Sequence, residues 1–272
     1  MVWSLLQLLI IITVFNLNYF DFLLILIFIL SYNEGGIFMS VIMEAKNLGK
    51  VFGQGENKVE ALKGLDFSIS KGELTIILGP SGAGKSTLLN LIGGMDSPSY
   101  GSLIVNGMNL ADFNKKQLTE YRRSLIGFVF QFYNLMPNLT AKENVELATE
   151  LKKDALSVDD TLKSVGLENR KNNFPSQLSG GEQQRVSVAR AIAKNPDIIL
   201  CDEPTGALDY ETGKEILKLL SDCARIKGKT VVIVTHNSAL KEMGDHLIRV
   251  KNGQIVLDEH NENPKDIKEI EW

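Results

Sequence analysis

The sequence predicts an α/β fold in which helices cover both faces of a mostly parallel sheet, and two observations support this prediction. Short runs rich in β-branched and aliphatic residues recur after Val41, and stretches with helical periodicity lie between several of them. Strands that alternate with helices pair in parallel, because each crossover helix returns the chain to the starting edge of the sheet. The predicted strands are 65–70, 73–79, 126–130, 198–200 and 230–235.

Three further regions complete the predicted architecture. Residues 41–70 are richer in strand and turn than in helix, which predicts an N-terminal antiparallel β part. The sequence from about 132 to 180 is largely helical, which predicts an inserted helical subdomain. Near the end of the chain, Asn252-Gly253 separates two apolar runs and predicts a hairpin with a type I′ turn. The polar residues 260–272 are predicted to form a short, weakly ordered tail.

The composition excludes several classes of protein. With 44% hydrophobic and 23% charged residues among 272, the chain is neither disordered nor fibrous. Nucleic-acid-binding domains have a basic face, so a net charge of −4 gives no support for a nucleic-acid partner. Cys201 and Cys223 are expected to be reduced thiols, which excludes a disulfide scaffold or a cysteine-built zinc site. His236, His246 and His260 are expected to be too few and too scattered for a metal cluster.

Residues 1–38 differ from the remainder of the chain, 39–272. They contain no Lys or Arg and form an apolar run long enough for one bilayer crossing, interrupted by Asp21. One interpretation of this leader is a single membrane anchor. The interpretation that we favour is an untranslated segment, with the working protein beginning at Met39 or Met43. It rests on the absence of basic anchor residues and on the cost of an acidic residue inside a membrane span.

The sequence GPSGAGKST follows an apolar strand and precedes a stretch with helical spacing. It fits the phosphate-binding pattern G-x-x-x-x-G-K-[ST], in which glycines let successive backbone N–H groups point at phosphate oxygens. Lys85 is expected to reach the β- and γ-phosphates of ATP, and the Ser86 hydroxyl is expected to bind Mg²⁺. The predicted nucleotide-binding residues of this loop are Gly79, Pro80, Ser81, Gly82, Ala83, Gly84, Lys85, Ser86 and Thr87.

A second motif, IILCDEPTG at 198–206, is an apolar strand that ends on two carboxylates. The last residues of such a strand lie at the sheet edge, where ligands bind in open α/β folds. Asp202 is predicted to hold Mg²⁺ through its water shell. Glu203 is predicted to act as the general base that polarises the attacking water.

The sequence LSGGEQQR at 178–185 resembles the signature motif of the ATP-binding subunits of ABC transporters, and the resemblance covers nearly all of the chain after the leader. It implies an ATP hydrolase whose fold is the ABC-type P-loop NTPase. It also implies a head-to-tail dimer, in which the signature residues of one copy cap the ATP that is held by a second copy of the same chain. The signature residues expected to bind nucleotide are Ser179, Gly180, Gly181 and Glu182.

The same resemblance assigns three further site residues. Gln131 matches the glutamine that senses Mg²⁺ and the attacking water and that contacts the permease. His236 matches the histidine that contacts the γ-phosphate, although a lone histidine after an apolar strand is more often structural. Phe52 matches the aromatic residue that stacks on adenine, and its alternative is an ordinary core aromatic.

Finer detail resembles one branch of the family. The sequences at 88–96, 122–147 and 200–209 together are similar to those of ATPases that serve lipoprotein-releasing and macrolide or antimicrobial-peptide exporters. This resemblance implies a membrane permease as partner and a peripheral position on the cytoplasmic face of the cell membrane. The competing functions are a cell-division ATPase, an antibiotic-sensing module and a soluble ABC protein that acts on ribosomes or DNA. The last is disfavoured, because the sequence has one phosphate loop, one signature and no heptad insertion.

Overall fold

The computed structural model describes residues 40–150 and 152–271, so the predicted leader lies outside the described residues. The described strands are β1 Val41–Phe52, β2 Val59–Ser70, β3 Leu74–Leu78, β4 Tyr100–Val105, β5 Met108–Asn109, β6 Ile126–Val129, β7 Ile198–Asp202, β8 Thr230–Thr235, β9 His246–Lys251 and β10 Gln254–His260. The described α-helices are α1 Lys85–Ile92, α2 Lys115–Leu125, α3 Ala141–Thr149, α4 Val158–Ser164, α5 Gly180–Ala193 and α6 Tyr210–Arg225.

The larger sheet has six strands in the order β10-β9-β3-β8-β7-β6. Every neighbouring pair is parallel except β9 and β10, which form an antiparallel hairpin. Strands β3 and β8 are buried along their whole length, as their continuous apolar sequences require in a sheet covered on both faces. The predicted mostly parallel α/β fold is confirmed.

The smaller sheet has four strands in the order β2-β1-β4-β5, and all its pairs are antiparallel. It confirms the predicted N-terminal antiparallel part. Helix α1 packs with this sheet and with one face of the larger sheet in a shared hydrophobic core. Helices α5 and α6 pack on the opposite face, in a second core that also contains both cysteines. The phosphate loop contributes Ala83 to the first core and lies next to β2 of the antiparallel sheet.

The region between β6 and β7 is mainly helical. Helix α3 begins at Thr140 in a capping box with Glu143, in which each side chain accepts from the backbone N–H of the other. Helices α3, α4 and α5 share a third hydrophobic cluster, separate from the two cores of the sheet. The assignment of about 132–180 as a distinct subdomain remains a prediction.

The end of the chain differs from the sequence expectation. The predicted hairpin is present, and Asn252 and Gly253 have the positive φ values of 51° and 77° that its turn requires. The prediction of a weakly ordered tail is wrong, because Ile267 and Ile270 are buried in the second core. These two residues are three apart and lie on or beside a 3₁₀ turn, so both side chains reach the sheet from an otherwise polar segment.

Among residues 40–150 and 152–271, no helix has the length and apolar character needed to cross a membrane.

Candidate nucleotide-binding site

The phosphate loop connects β3 to α1 and depends on two glycines with left-handed backbone conformations. Gly82 has φ 75° and Gly84 has φ 101°. A Cβ atom on Gly84 would lie 2.7 Å from the carbonyl oxygen of Ala61 on β2, and backbone cannot move aside as a side chain can. Both the backbone conformation and the available space therefore require glycine at this position.

Helix α1 begins at Gly84 without any side-chain cap, and its first turn contains no acidic residue. Its first backbone N–H groups lack intrahelical acceptors, and the helix dipole places positive potential there, as an anion site needs. The buried Lys85 donates from Nζ to the carbonyl of Pro80 at 3.1 Å. A cavity of about 180 Å³ adjoins the helix start. It is lined by Ala61, Gly82, Gly84, Lys85, Ser86 and Thr87.

The turn of the β9–β10 hairpin supports this loop from outside. The N–H of Gly253 donates to the carbonyl of Ala83 at 3.0 Å, and the carbonyl of Gly253 accepts from the N–H of Lys63 on β2 at 2.8 Å. A Cβ on Gly253 would lie 2.6 Å from the carbonyl oxygen of Ala61. The hairpin turn thus closes one side of the loop and ties it to the antiparallel sheet.

Ser86 and Asp202 meet at the entrance to the loop. Ser86 Oγ donates to Asp202 Oδ1 over 3.2 Å, across the ends of α1 and β7. Burial raises the pKa of the Asp202 carboxyl, and the neighbouring Glu203 carboxylate adds to the effect. A hydroxyl and a carboxylate at this spacing are the hard oxygen donors that Mg²⁺ prefers, so the donor set fits that ion.

Glu203 and His236 form a second pair beside the first. Glu203 follows β7 in the left-handed conformation, with φ 46°, and its N–H donates to the carbonyl of Val234 at 2.9 Å. Its Oε1 lies 2.8 Å from Nδ1 of His236, whose side chain is 62% exposed. Its Oε2 accepts from the hydroxyl of Thr235 at 3.1 Å. The carboxylate is therefore held from two sides while its imidazole partner faces solvent.

Gln131 lies near the same turn. Its Nε2 is 3.0 Å from the position that a Cβ on Gly206 would take, and the N–H of Gly206 donates to the carbonyl of Glu203 at 3.0 Å. The structure thus brings the glutamine to the turn that carries Glu203.

Phe52 lies at the end of β1, where it pairs with Val59, two residues before the cavity-lining Ala61. Phe52 is 44% exposed, and Nζ of Lys50 lies 5.1 Å from the centre of its ring. The interpretation of Phe52 as a core aromatic is therefore wrong. An exposed ring in this position is available for stacking.

The signature residues form the start of helix α5. Ser179 Oγ accepts from the N–H of Glu182 at 3.2 Å, and Glu182 Oε2 accepts from the N–H of Ser179 at 2.8 Å. The other carboxylate oxygen of Glu182 accepts from Nε of Arg170 at 3.0 Å. The N–H of Ser179 and the guanidinium of Arg170 lower the pKa of Glu182. A Cβ on Gly181 would collide with Cγ2 of Thr212, so α6 approaches this turn closely.

None of residues 179–182 lines the cavity at the phosphate loop. Sequence reasoning missed two neighbours of the site, Ala61 and Thr235. The sequence could have indicated Thr235 as a site residue, because Thr235 ends an apolar strand directly before His236. No sequence pattern indicates Ala61, because its contact with Gly84 depends on how the two sheets pack.

Comparisons with known proteins agree with this geometry. The profile of the family described as ABC transporter matches residues 62–206. An ABC transporter ATP-binding protein of Mycoplasma pneumoniae is 44% identical over 234 residues, which are 85% of this chain and 50% of the relative, so the chain spans about half of that relative's length. The macrolide export ATP-binding/permease protein MacB of Marinobacter nauticus is 41% identical, over 82% of this chain and 35% of the relative.

A third relative is similar in sequence and also has a solved structure. The ABC transporter ATP-binding protein MJ0796 of Methanocaldococcus jannaschii is 45% identical over 80% of this chain and 97% of the relative. A solved dimeric structure of the MJ0796 cassette, in a post-hydrolysis state bound to ADP and Pi, superposes with a TM-score of 0.74. That match is 44% identical and covers 80% of this chain and 98% of the solved one. The chain belongs to the ABC transporter family and carries the ATPase cassette of that family.

Proposed function

We propose that the chain binds ATP with Mg²⁺, hydrolyses it as a head-to-tail dimer, and thereby powers a membrane permease. The observation that carries the proposal is the meeting of two pairs at one sheet edge. Ser86 with Asp202, and Glu203 with His236, lie 3.2 Å and 2.8 Å apart beside the open start of α1. A metal-binding oxygen pair and a general base next to a phosphate cradle are what the hydrolysis of a phosphoanhydride needs.

Each residue has a role in this proposal that follows from its position. The N–H groups of residues 79–87 and the Lys85 ammonium bind the β- and γ-phosphates, and Phe52 stacks on the base. Mg²⁺ bound by Ser86 and Asp202 would supply charge neutralisation at the phosphate oxygens. Gln131 would orient the attacking water and would help to hold the metal ion.

Proton transfer is proposed to take place at Glu203. Its carboxylate accepts the proton of the attacking water, and the hydrogen bonds from Thr235 and His236 keep it oriented. With Glu203 ionised, His236 must donate from Nδ1, which leaves Nε2 directed away from the pair and available to the γ-phosphate. The exposure of His236 supports this role, since its Nε2 can reach a bound substrate.

The signature turn is the basis for proposing that a second copy of the chain takes part in ATP binding. Ser179 accepts at its oxygen from Glu182, which leaves its hydroxyl proton free to donate to a phosphate. Gly180 and Gly181 follow as the first two residues of α5, where backbone N–H groups have no intrahelical acceptor. Since none of these residues lines the cavity at the phosphate loop of their own copy, a phosphate held by another copy is the fitting ligand. The solved MJ0796 cassette, which is dimeric, supports this arrangement.

The permease is proposed to belong to an exporter, of the lipoprotein-releasing or macrolide and peptide-extruding kind. The similarity to the macrolide export protein supports this choice. A cell-division or an antibiotic-sensing permease complex is the alternative partner, and the cargo is chosen by the permease. In this proposal the cassette sits on the cytoplasmic face of the membrane and is held there through the permease.

The decisive experiment uses Glu203→Gln. The amide keeps the shape of the carboxylate but cannot accept the proton, so ATP binding should persist while hydrolysis falls by roughly 100- to 10,000-fold. Gel filtration with ATP should then show a stable dimer for Glu203→Gln and a monomer without nucleotide. Glu120→Gln, on an exposed part of α2, is the matched control and should behave as wild type. A Glu203→Gln variant that hydrolyses ATP at the wild-type rate would contradict the assignment.

A further inference from the structure

A cluster of titratable side chains lies at the end of the larger sheet opposite the phosphate loop. It comprises Glu73 just before β3, His246 at the start of β9, and Asp258 and His260 on β10. His246 and His260 are cross-strand partners, and their rings stack with centroids 4.2 Å apart. The expectation that the histidines are too scattered to cluster is therefore wrong for these two.

Glu73 and His246 are fully internal, since each side chain is only 1% exposed. Glu73 Oε1 lies 3.1 Å from Nδ1 of His246 and accepts from the hydroxyl of Thr75 at 3.1 Å. Burying a carboxylate is costly unless a positive charge and hydrogen bonds compensate it. The Nδ1–Oε1 gap is therefore bridged either by a hydrogen-bonding proton or by a metal ion.

Asp258 determines how the His246 ring is oriented. Its Oδ1 lies 2.5 Å from Nε2 of His246, so Nε2 carries the proton that is shared with this carboxylate. That arrangement turns Nδ1 toward Glu73. A histidine whose outer nitrogen donates to a carboxylate while the inner nitrogen faces a second ligand is the usual arrangement around a protein-bound metal.

His260 supplies a third donor at the solvent side. One ligand atom from each of Glu73, His246 and His260 lies within 4.8 Å of the other two. In a tetrahedral site with bonds of about 2.0–2.2 Å, ligand atoms are roughly 3.3–3.6 Å apart, so the Glu73–His246 pair is already near that spacing. His260 is exposed, so its ring is free of the close packing that surrounds Glu73 and His246.

We propose that Glu73, His246 and His260 bind one divalent transition-metal ion, with Zn²⁺ the best match, and that Asp258 orients His246 as an outer-shell partner. Two imidazoles and one carboxylate suit zinc and its neighbours, whereas Mg²⁺ and Ca²⁺ require more oxygen donors than this cluster offers. The ion would join the start of β3 to both strands of the hairpin. The site is separate from the nucleotide site and does not depend on the proposed function.

Co²⁺ is the probe, because four-coordinate Co²⁺ absorbs visible light strongly and substitutes for Zn²⁺. The full chain, stripped of metal by chelation and free of nucleotide, is titrated with Co²⁺ and then with Zn²⁺. We expect one saturable Co²⁺ site with a four-coordinate spectrum, which Zn²⁺ abolishes. Asp258→Asn should weaken Co²⁺ binding about 10- to 100-fold, and His260→Ala by at least as much.

Two controls keep the result specific. Glu259→Gln changes an exposed carboxylate that neighbours the cluster in sequence, and it should bind Co²⁺ as wild type does. Asp202→Asn removes the metal ligand of the nucleotide site, and it should also leave the Co²⁺ spectrum unchanged. Because His260 is exposed, its replacement should leave the circular dichroism spectrum intact. A wild-type chain without a four-coordinate spectrum, or a spectrum that His260→Ala leaves unaltered, would show that the gap contains only a proton and would overturn the proposal.

Discussion

Helices α1 and α5, which both have glycine at or next to their first residue, begin in different ways. Helix α1 starts at a left-handed glycine, has no side-chain cap and carries Lys85 in its first turn. Helix α5 starts at Ser179 with a closed capping box, and its first turn carries the acidic Glu182. The N-terminus of α1 leaves its backbone N–H groups and the Lys85 ammonium available to a ligand. At the N-terminus of α5, the capping box already satisfies two of the backbone N–H groups. The difference suggests a complete phosphate site in one case and a complementary half-site in the other.

The largest expected effect is on ATP affinity at the uncapped N-terminus of α1. Lys85→Ala removes a buried charge that is aimed at phosphate, so we expect ATP affinity to fall by about 2–5 kcal/mol. Isothermal titration with a non-hydrolysable ATP analogue measures the change. Lys116→Ala is the matched control, since it removes a lysine from the first turn of α2, a helix that closes its own capping box. Normal affinity of Lys85→Ala for the ATP analogue would contradict the assignment of the α1 N-terminus as the phosphate site.

A second experiment tests the capped N-terminus of α5. Ser179→Arg should leave ATP binding by a single copy unchanged but reduce ATPase activity by roughly 100-fold or more, since the bulky cation replaces a hydroxyl donor to the partner's nucleotide. Ser157→Arg is the control, because Ser157 Oγ also accepts from a backbone N–H in the first turn of its helix, α4. Each change removes a cap and should cost about 1 kcal/mol of unfolding free energy. Only Ser179→Arg should lose activity, and full activity in that variant would exclude the head-to-tail dimer.

The smallest expected effect is a dependence of stability on pH. Because the pKa of Glu182 is lowered in the folded state, its contribution to stability is present above its unfolded pKa and is lost as pH falls through the folded value. Urea unfolding of nucleotide-free protein at pH 7 and at about pH 4 should therefore show a smaller acid-induced loss in Glu182→Gln than in wild type.

Two further variants serve as controls for the acid-induced loss of stability. Glu143→Gln changes the equivalent carboxylate in the capping box of α3, whose pKa is also lowered, and it should alter the acid response in the same direction. Glu259→Gln should leave the acid response as in wild type. An identical acid response in wild type and Glu182→Gln would mean that the α5 box contributes no pH-dependent stability.

Much of the nucleotide site could be predicted from the sequence, because its residues occupy fixed offsets from strand ends. The pairings of Ser86 with Asp202, and of Glu203 with His236, follow once β3, β7 and β8 are neighbours in a parallel sheet. The contact of Gly84 with β2 could not be predicted, because it depends on how closely two separate sheets pack.

The histidine cluster shows a different limit. A two-residue turn at Asn252-Gly253 pairs Lys251 with Gln254 and, in a regular ladder, would pair His246 with Glu259. An irregularity between Ile255 and Leu257 shifts the register by one residue, which places His260 opposite His246 instead. Since one residue of slip exchanges the two faces of a strand, the cluster depends on a bulge that no sequence pattern announces.

The hairpin turn at Gly253 has a consequence for protein engineering. Exposed hairpin tips are ordinarily the places where a chain accepts inserted tags, loops or whole domains. Here the tip donates to Ala83 of the phosphate loop and accepts from Lys63, so it supports the phosphate loop from outside. Any insertion between Asn252 and Gly253 would displace that support. A reporter fused at the tip would therefore alter the nucleotide site it was meant to observe, and it belongs elsewhere on the surface.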